Sequence, residues 1–244
     1  MAIITGAGSG MGRAHAVKLA SLGARVVVQD IDKDGAAETV RRITEDGGQA
    51  LAVVSDIADC ATHAPMAASA ASAFGRIDIL VNNAGIGLDR PLEAIDEAAL
   101  DRMLGVHVKG TFFATQAVLP YLKRVGAGRI VNVSSRWAMA GHHLASDYIA
   151  AKGAILGLTK AWAKELAPHA ITVNALAPGG VWSAMVLQTI GEAGVREEAS
   201  QVPLQRWAQP EELAETVAFL VSDEASFITG QVIAPNGGKT VVGF

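Results

Sequence analysis

Seven short runs of apolar, largely β-branched residues recur along the 244-residue chain, separated by longer alanine-rich stretches of helical composition. They are AIIT at the start, RVVVQD to Asp30, ALAVVSD to Asp56, IDILVNN to Asn83, RIVNVSS to Ser135, AITVNALAP to Pro178 and QVIAPNGG near the end. None alternates strictly between apolar and polar. Each therefore predicts a strand covered on both faces, the usual state of parallel strands joined by helical crossovers. Right-handed crossovers then give an α/β, doubly wound, Rossmann-like parallel sheet with helices on both sides. No Pro/Ser-rich linker, repeat or low-complexity tract interrupts the alternation, so residues 1–244 read as a single domain. Residues 182–209 are the least regular, with two tryptophans and scattered charge, and read as a substrate loop over a pocket mouth.

Composition narrows the function. A net charge of −4, without a block of Lys or Arg, argues against nucleic acid or an anionic membrane as partner. Cys60 is the only cysteine, which excludes an internal disulfide and suits a reducing compartment. The start, MAIITGAGSG, lacks the charged and apolar regions of a signal peptide, and no apolar run has the length of a membrane span. The expectation is a cytoplasmic protein. His15, His63 and His169 read as helix-surface or turn residues. No metal is implied, since the adjacent His142 and His143 lack further ligands at suitable spacing.

The first run passes into TGAGSGMG, Thr5 to Gly12, and then into a helical stretch. Gly6, Gly10 and Gly12 let backbone approach a pyrophosphate, and the helix start supplies unpaired N–H donors and a positive dipole end. The spacing is GxxxGxG, not the common GxGxxG. Asp30 ends the second run about 20 residues on, where a carboxylate can take both ribose hydroxyls and would repel a 2′-phosphate. Ile31 follows it, not a basic residue. Together these favour NAD over NADP.

Three further pieces arrive in order: NNAG at Asn82 to Gly85, VSS ending at Ser135, and YIAAK from Tyr148 to Lys152. With them the chain resembles the short-chain dehydrogenase/reductase family along essentially its whole length. On a helix Tyr148 and Lys152 share a face, and an ammonium near a phenol favours the phenolate. Tyr148 is then the acid or base of an alcohol–ketone interconversion. Ser135 matches the family's catalytic serine and holds the substrate oxygen, while Ser134 is expected to face the other way. The resemblance also implies cofactor contacts at Ser9 and Met11, at Asp56 and Ile57 around an adenine, and at Asn83 and Gly85 in the NNAG turn. In PGGVWSAM it implies Pro178, Gly179, Val181 and Ser183 around the carboxamide, with serine where threonine is usual.

One position departs from the pattern. In GVHVKGTF the family usually has asparagine where this chain has His107, and its backbone carbonyl holds a water that passes protons from the lysine to solvent. Helical spacing puts His107 on a buried face with Leu100, Met103, Leu104 and Thr111. The expectation is a relay residue, neutral because burial and Lys152 both oppose its charging.

Arg136, Trp137, Met139, His142, Leu144, Trp182 and Met185 are expected at the pocket rim, for a moderately apolar small-molecule alcohol or ketone. The alternative is a 3-oxoacyl thioester, on acyl-carrier protein or CoA, with Lys123, Arg124 and Arg129 as candidate contacts for an acidic carrier. A non-catalytic dinucleotide-binding regulator would require a damaged triad, and Ser135, Tyr148 and Lys152 are all present. Family members are usually homotetramers, so a homotetramer is expected here.

Overall fold

The seven runs form strands β1 (Ala2–Thr5), β2 (Val26–Asp30), β3 (Ala50–Val54), β4 (Ile79–Asn82), β5 (Arg129–Val133), β6 (Thr172–Leu176) and β7 (Val232–Ile233). All pair in parallel, in the order β3-β2-β1-β4-β5-β6-β7. The structure, a computed structural model, describes residues 1–87 and 89–241, and of residues 184, 185 and 188–190 the backbone alone. The helices are α1 (Gly10–Ser21), α2 (Lys33–Glu45), α3 (His63–Phe74), α4 (Glu97–Leu104), α5 (Gly110–Val125), α6 (Trp137–Ala140), α7 (Ser146–Leu166), α8 (Ala184–Ser200) and α9 (Pro210–Leu220).

Successive strand residues point to opposite faces, and both faces are covered. Ala2, Ile4, Val26, Val28, Val81 and Val131 pack with Leu19 of α1, Ile43 of α2 and Leu213 and Val217 of α9. Ile3, Val27, Leu80, Ile130 and Val173 pack on the other side with Met66 of α3, Val118 and Leu122 of α5, and Trp162 of α7. The strand order reverses direction between β1 and β4. Connections leave that point on opposite sides, which opens a crevice at the carboxyl ends of the strands.

A buried polar ladder fixes the helix that carries Tyr148. Asn82 of β4 donates to Asn132 of β5 at 2.9 Å, and Asn132 donates to Thr159 of α7 at 3.0 Å. A slip of α7 would strand these buried groups, each at a cost of about 1–3 kcal/mol.

Three local expectations change. Residues 182–209 are helical over most of their length, because AMVLQTIGEAGVREEAS is rich in good helix formers; only Gly191, at φ 64°, breaks the run. His15 is fully buried and His63 nearly so, not at the surface. α1 is packed by the sheet, α2 and α9 at once, and His63 turns inward to put Nε2 2.9 Å from the Ile57 carbonyl oxygen. Between α4 and α5 the chain makes a π turn, Gly105–Lys109. Its extra residue per turn alters the face predicted from α-helical spacing. His107, Met103 and Thr111 are buried as expected, but Leu100 is 37 % exposed.

Candidate active site

A cleft of about 580 Å³ opens at the carboxyl ends of the strands. The β1–α1 turn forms one wall. α1 begins after Ser9 with no side-chain cap and no acidic residue in its first turn, so its N–H groups are turned to the cleft uncompensated. Gly10 has φ 51°, which a side chain would resist, and a Cβ there would meet nothing nearer than Ser183 at 3.9 Å. The turn is clamped from behind. The Asn83 side-chain amide donates to the carbonyls of Thr5 and Gly6, and the Thr5 hydroxyl accepts from the N–H groups of Asn83 and Ala84. Arg13 donates to the Gly8 carbonyl and to Thr39.

Asp30 stands at the end of β2, its two oxygens accepting from Gly8 N–H at 2.7 Å and Asp32 N–H at 2.9 Å. Each oxygen keeps a lone pair, and the residue lines the cleft. Asp56, further along, accepts from Ala58 N–H and from Arg102 at 2.6 Å, and the Arg102 hydrogen bond holds its carboxyl below the usual range. Sequence reading gives no sign of Arg102, which reaches Asp56 from α4. Gly6, Ser9, Met11, Gly12, Ile57 and Gly85 share this lining, and Pro178, Gly179, Val181 and Ser183 close it from the β6 side. Uncapped donors at one place and a fixed carboxylate beyond them fit a dinucleotide, pyrophosphate on the turn and ribose at Asp30.

Ser135, Tyr148, Lys152 and His107 also line the cleft. Lys152 is buried, with Nζ donating to the Val133 carbonyl at 2.7 Å and standing 5.7 Å from the Tyr148 ring centroid. Burial brings its pKa down to about 7. The Tyr148 phenol is pushed up by burial, with the Ser135 hydroxyl acting the other way. The Lys152 ammonium beside the ring favours the phenolate against that burial. Both groups are shielded from water, which disfavours the charged form of each.

Ser135 accepts from Trp137 N–H at 3.2 Å. Ser134 has a different task, donating to the Lys152 carbonyl at 2.8 Å and so binding α7 to the end of β5. Asp147 accepts from Tyr148 N–H at 2.8 Å and lies 3.9 Å from Arg90, whose own N–H donates to the Leu144 carbonyl at 2.7 Å. The loop after β4 is thus tied to the start of α7.

His107 is 2 % exposed. Its Nε2 lies 2.8 Å from the Ile86 carbonyl oxygen and 3.1 Å from the Ile86 nitrogen. One tautomer donates to the carbonyl and the other accepts from the N–H. In both, Nδ1 is buried without a partner among the described residues. Burial first, then the Lys152 charge, lower the ring to about 3, so it is neutral at working pH.

Of the expected rim, Arg136, Trp137 and His142 line the cleft, while Met139, Leu144 and Trp182 do not; the Met185 side chain lies outside the described residues. Trp207, Glu198 and Asp89 line it unforeseen.

A family model described as "Enoyl-(Acyl carrier protein) reductase" matches residues 6–240. The chain is 39% identical over 239 residues to a 3-oxoacyl-(acyl-carrier-protein) reductase of Thermotoga maritima, covering 98% of this chain and 97% of that one. It is also 39% identical to a hydroxy(phenyl)methylsuccinyl-CoA dehydrogenase subunit of Thauera aromatica, covering 99% and 96%. The crystal structure of levodione reductase matches with a TM-score of 0.94 at 33% identity, over 98% of this chain and 96% of that one. Sheet order, cleft and whole-length likeness agree: the chain belongs to the short-chain dehydrogenase/reductase family of oxidoreductases.

Proposed function

We propose that this oxidoreductase interconverts a small-molecule alcohol and its ketone with NAD(H), using Tyr148, Ser135 and Lys152. The observation that carries the reading is the meeting of these three side chains in one cleft, with Lys152 Nζ 5.7 Å from the Tyr148 ring centroid. A bound nicotinamide supplies the hydride acceptor or donor. Tyr148 takes the alcohol proton in one direction and gives it to the carbonyl oxygen in the other. Ser135 holds that oxygen by a hydrogen bond. Lys152 acts on the charge of the phenol and passes its proton outward, while His107 holds the Ile86 turn and offers Nδ1 to the same proton path.

Gly6, Ser9, Gly10, Met11 and Gly12 would hold the pyrophosphate, Asp30 the ribose, and Asp56 and Ile57 the adenine. Asn83 and Gly85 shape the turn behind, and Pro178, Gly179, Val181 and Ser183 meet the carboxamide. Asp30, with the apolar Ile31 beside it, supports NAD over NADP, because a carboxylate repels a 2′-phosphate. We take residues 1–244 as one domain, with 182–209 closing over the substrate. A homotetramer fits the exposed Phe112 on α5, which lies 5.7 Å from Trp162 of α7, and the fully exposed Phe227. Light scattering on the eluting protein tests it. No helix among the described residues is long and apolar enough to cross a membrane.

A screen of secondary alcohols and ketones with NAD(H) and NADP(H) tests the reaction. Tyr148→Phe should abolish turnover and keep NADH affinity. If no substrate in the panel turns over while NADH still binds, the protein is a dinucleotide-binding regulator instead.

The names of the relatives support a second reading, reduction of a 3-oxoacyl thioester. Arg129 does not serve an acidic carrier in this chain. It is 6 % exposed, and its guanidinium donates to the carbonyls of Ala127 and Gly128.

A further inference from the structure

Arg136 follows Ser135 directly and lines the same cleft. Its guanidinium is half-buried, and burial lowers its pKa. No hydrogen-bond or ion-pair partner holds that guanidinium among the described residues. Arg13, by contrast, is tied to Gly8 and Thr39, and the buried Arg129 to two carbonyls, while Arg25 rests over the Phe74 ring at the surface of the fold and lines no part of the cleft. The guanidinium lies over the Trp137 ring, which fixes its position and leaves its N–H edge open to hydrogen-bond acceptors. Its donors are thus left to whatever enters the cleft beside Ser135.

The neighbourhood says which kind of substrate. Trp137 extends from the reacting end of the cleft to Arg136. Its ring meets Tyr148 edge-on at 6.0 Å, and the Arg136 guanidinium carbon stands 5.7 Å from the Trp137 centroid. His142 stacks flat against Trp137, at 4.0 Å and 11°, and keeps the indole upright. His142 is itself lowered by burial, so it adds no competing cation. Two carboxylates lie nearby. Glu198 acts on the Arg136 charge against burial and is shared with Lys239 at 3.2 Å, and Asp89 is exposed at the rim.

We propose that the substrate is a short hydroxy acid or oxo acid, its carboxylate on Arg136, its carbinol or carbonyl carbon at Tyr148 and Ser135, and a few carbons between them along Trp137. The proposal rests on the oxidoreductase reading above and narrows its moderately apolar substrate to an anionic one.

The test is a binding measurement, supported by turnover. The enzyme loaded with NADH is titrated with short straight-chain monocarboxylates and, separately, with the matching primary amides, following the fluorescence of bound NADH. At least one acid should bind about ten- to a hundredfold more tightly than its amide, the scale of hydrogen bonds to a charged group. Arg136→Gln should remove that preference and Arg136→Lys should keep part of it, with NADH affinity and thermal midpoint reporting that each variant is folded. If no acid exceeds its amide, or the preference survives in Arg136→Gln, the carboxylate site is overturned.

Turnover of short hydroxy acids against their methyl esters separates the two claims. Preferred oxidation of the ester would overturn the carboxylate site and leave the oxidoreductase standing. Arg136-dependent binding of acids without turnover of any alcohol would overturn the oxidoreductase reading and leave the anion site.

Discussion

The His107 ring stands edge-on to the Tyr148 ring, centroids 5.4 Å apart and planes at 88°, while its far nitrogen is held by the backbone of Ile86. The loop after β4 and the proposed acid–base residue are thus joined through one neutral imidazole. Removing it leaves an Ile86 backbone group unpaired and takes packing from Tyr148. His107→Leu should lower kcat roughly ten- to a hundredfold, the scale of a stranded buried hydrogen-bonding group. His107→Asn, which keeps a polar end, should recover part of that. Equal turnover and equal pH profiles in wild type and His107→Leu would remove the ring from the mechanism.

Gly85 is the other side of the same contact. A Cβ there would lie 2.6 Å from Cε1 of His107 and 3.3 Å from Nδ1, too close for either to stay in place. Gly85→Ala should therefore press the imidazole toward Tyr148 and destabilise the fold by about 1–3 kcal/mol. Combined with His107→Asn the overlap is smaller, so the double variant should be less damaged than the sum of the singles. Additive losses in thermal midpoint would show that the two residues do not meet in solution.

Burial brings Lys152 to about 7, and with the phenol beside it the pair should lose its first proton in that range. Oxidation of an alcohol needs that proton gone, and reduction of a ketone needs it present. Oxidation rate should rise with pH through about 7, and reduction should fall through the same range. Lys152→Met removes the lower titration and leaves a phenol pushed up by burial. Its oxidation profile should move to higher pH, with most activity lost at neutrality. A Lys152→Met profile still centred near 7 would assign the titration to another group.

Asp30 and Ile31 together predict the choice of dinucleotide. Ile31→Arg alone offers a cation beside a carboxylate that still repels, so preference should change little. Asp30→Ser with Ile31→Arg should bring NADPH affinity up to or past that of NADH. Asp30 also accepts from Gly8 and Asp32, so some loss of overall affinity should accompany the switch. Tighter NADPH than NADH binding by the unaltered protein would overturn the assignment.

The seven strands were legible because each is apolar on both faces, and Tyr148 and Lys152 because helical spacing alone puts them on one side. What the sequence hid were contacts set by tertiary approach. Arg102 reaches Asp56 from another segment, and Ser134 holds α7 through the Lys152 carbonyl. Spacing rules assume 3.6 residues per turn, so the π turn at Gly105–Lys109 placed Leu100 wrongly. The burial that pushes the Tyr148 phenol up is hidden for a related reason: proximity of charges shows in a motif, and depth of burial does not.

His15 shows what such burial does to stability. Both ring nitrogens are buried without partners among the described residues, and burial lowers the ring to about 4 from its ordinary 6.5. A depressed value means that the unfolded chain takes up the proton more readily. The contribution of His15 is fully present above 6.5 and is lost as pH falls from there toward 4. At pH 5 the loss is about 2 kcal/mol, since one unit is worth about 1.4 kcal/mol. His15→Leu keeps a similar volume and cannot take a proton. Its thermal midpoint should exceed that of the wild type at pH 7.5, where only the unpaired nitrogens are removed. The gap should widen by roughly 4–8 °C at pH 5, the equivalent of about 2 kcal/mol in a chain of this size. His63 and His107 also titrate low, but they are present in both proteins and cancel in the difference. Parallel midpoint curves between pH 5 and 7.5 would mean that His15 is hydrated in solution.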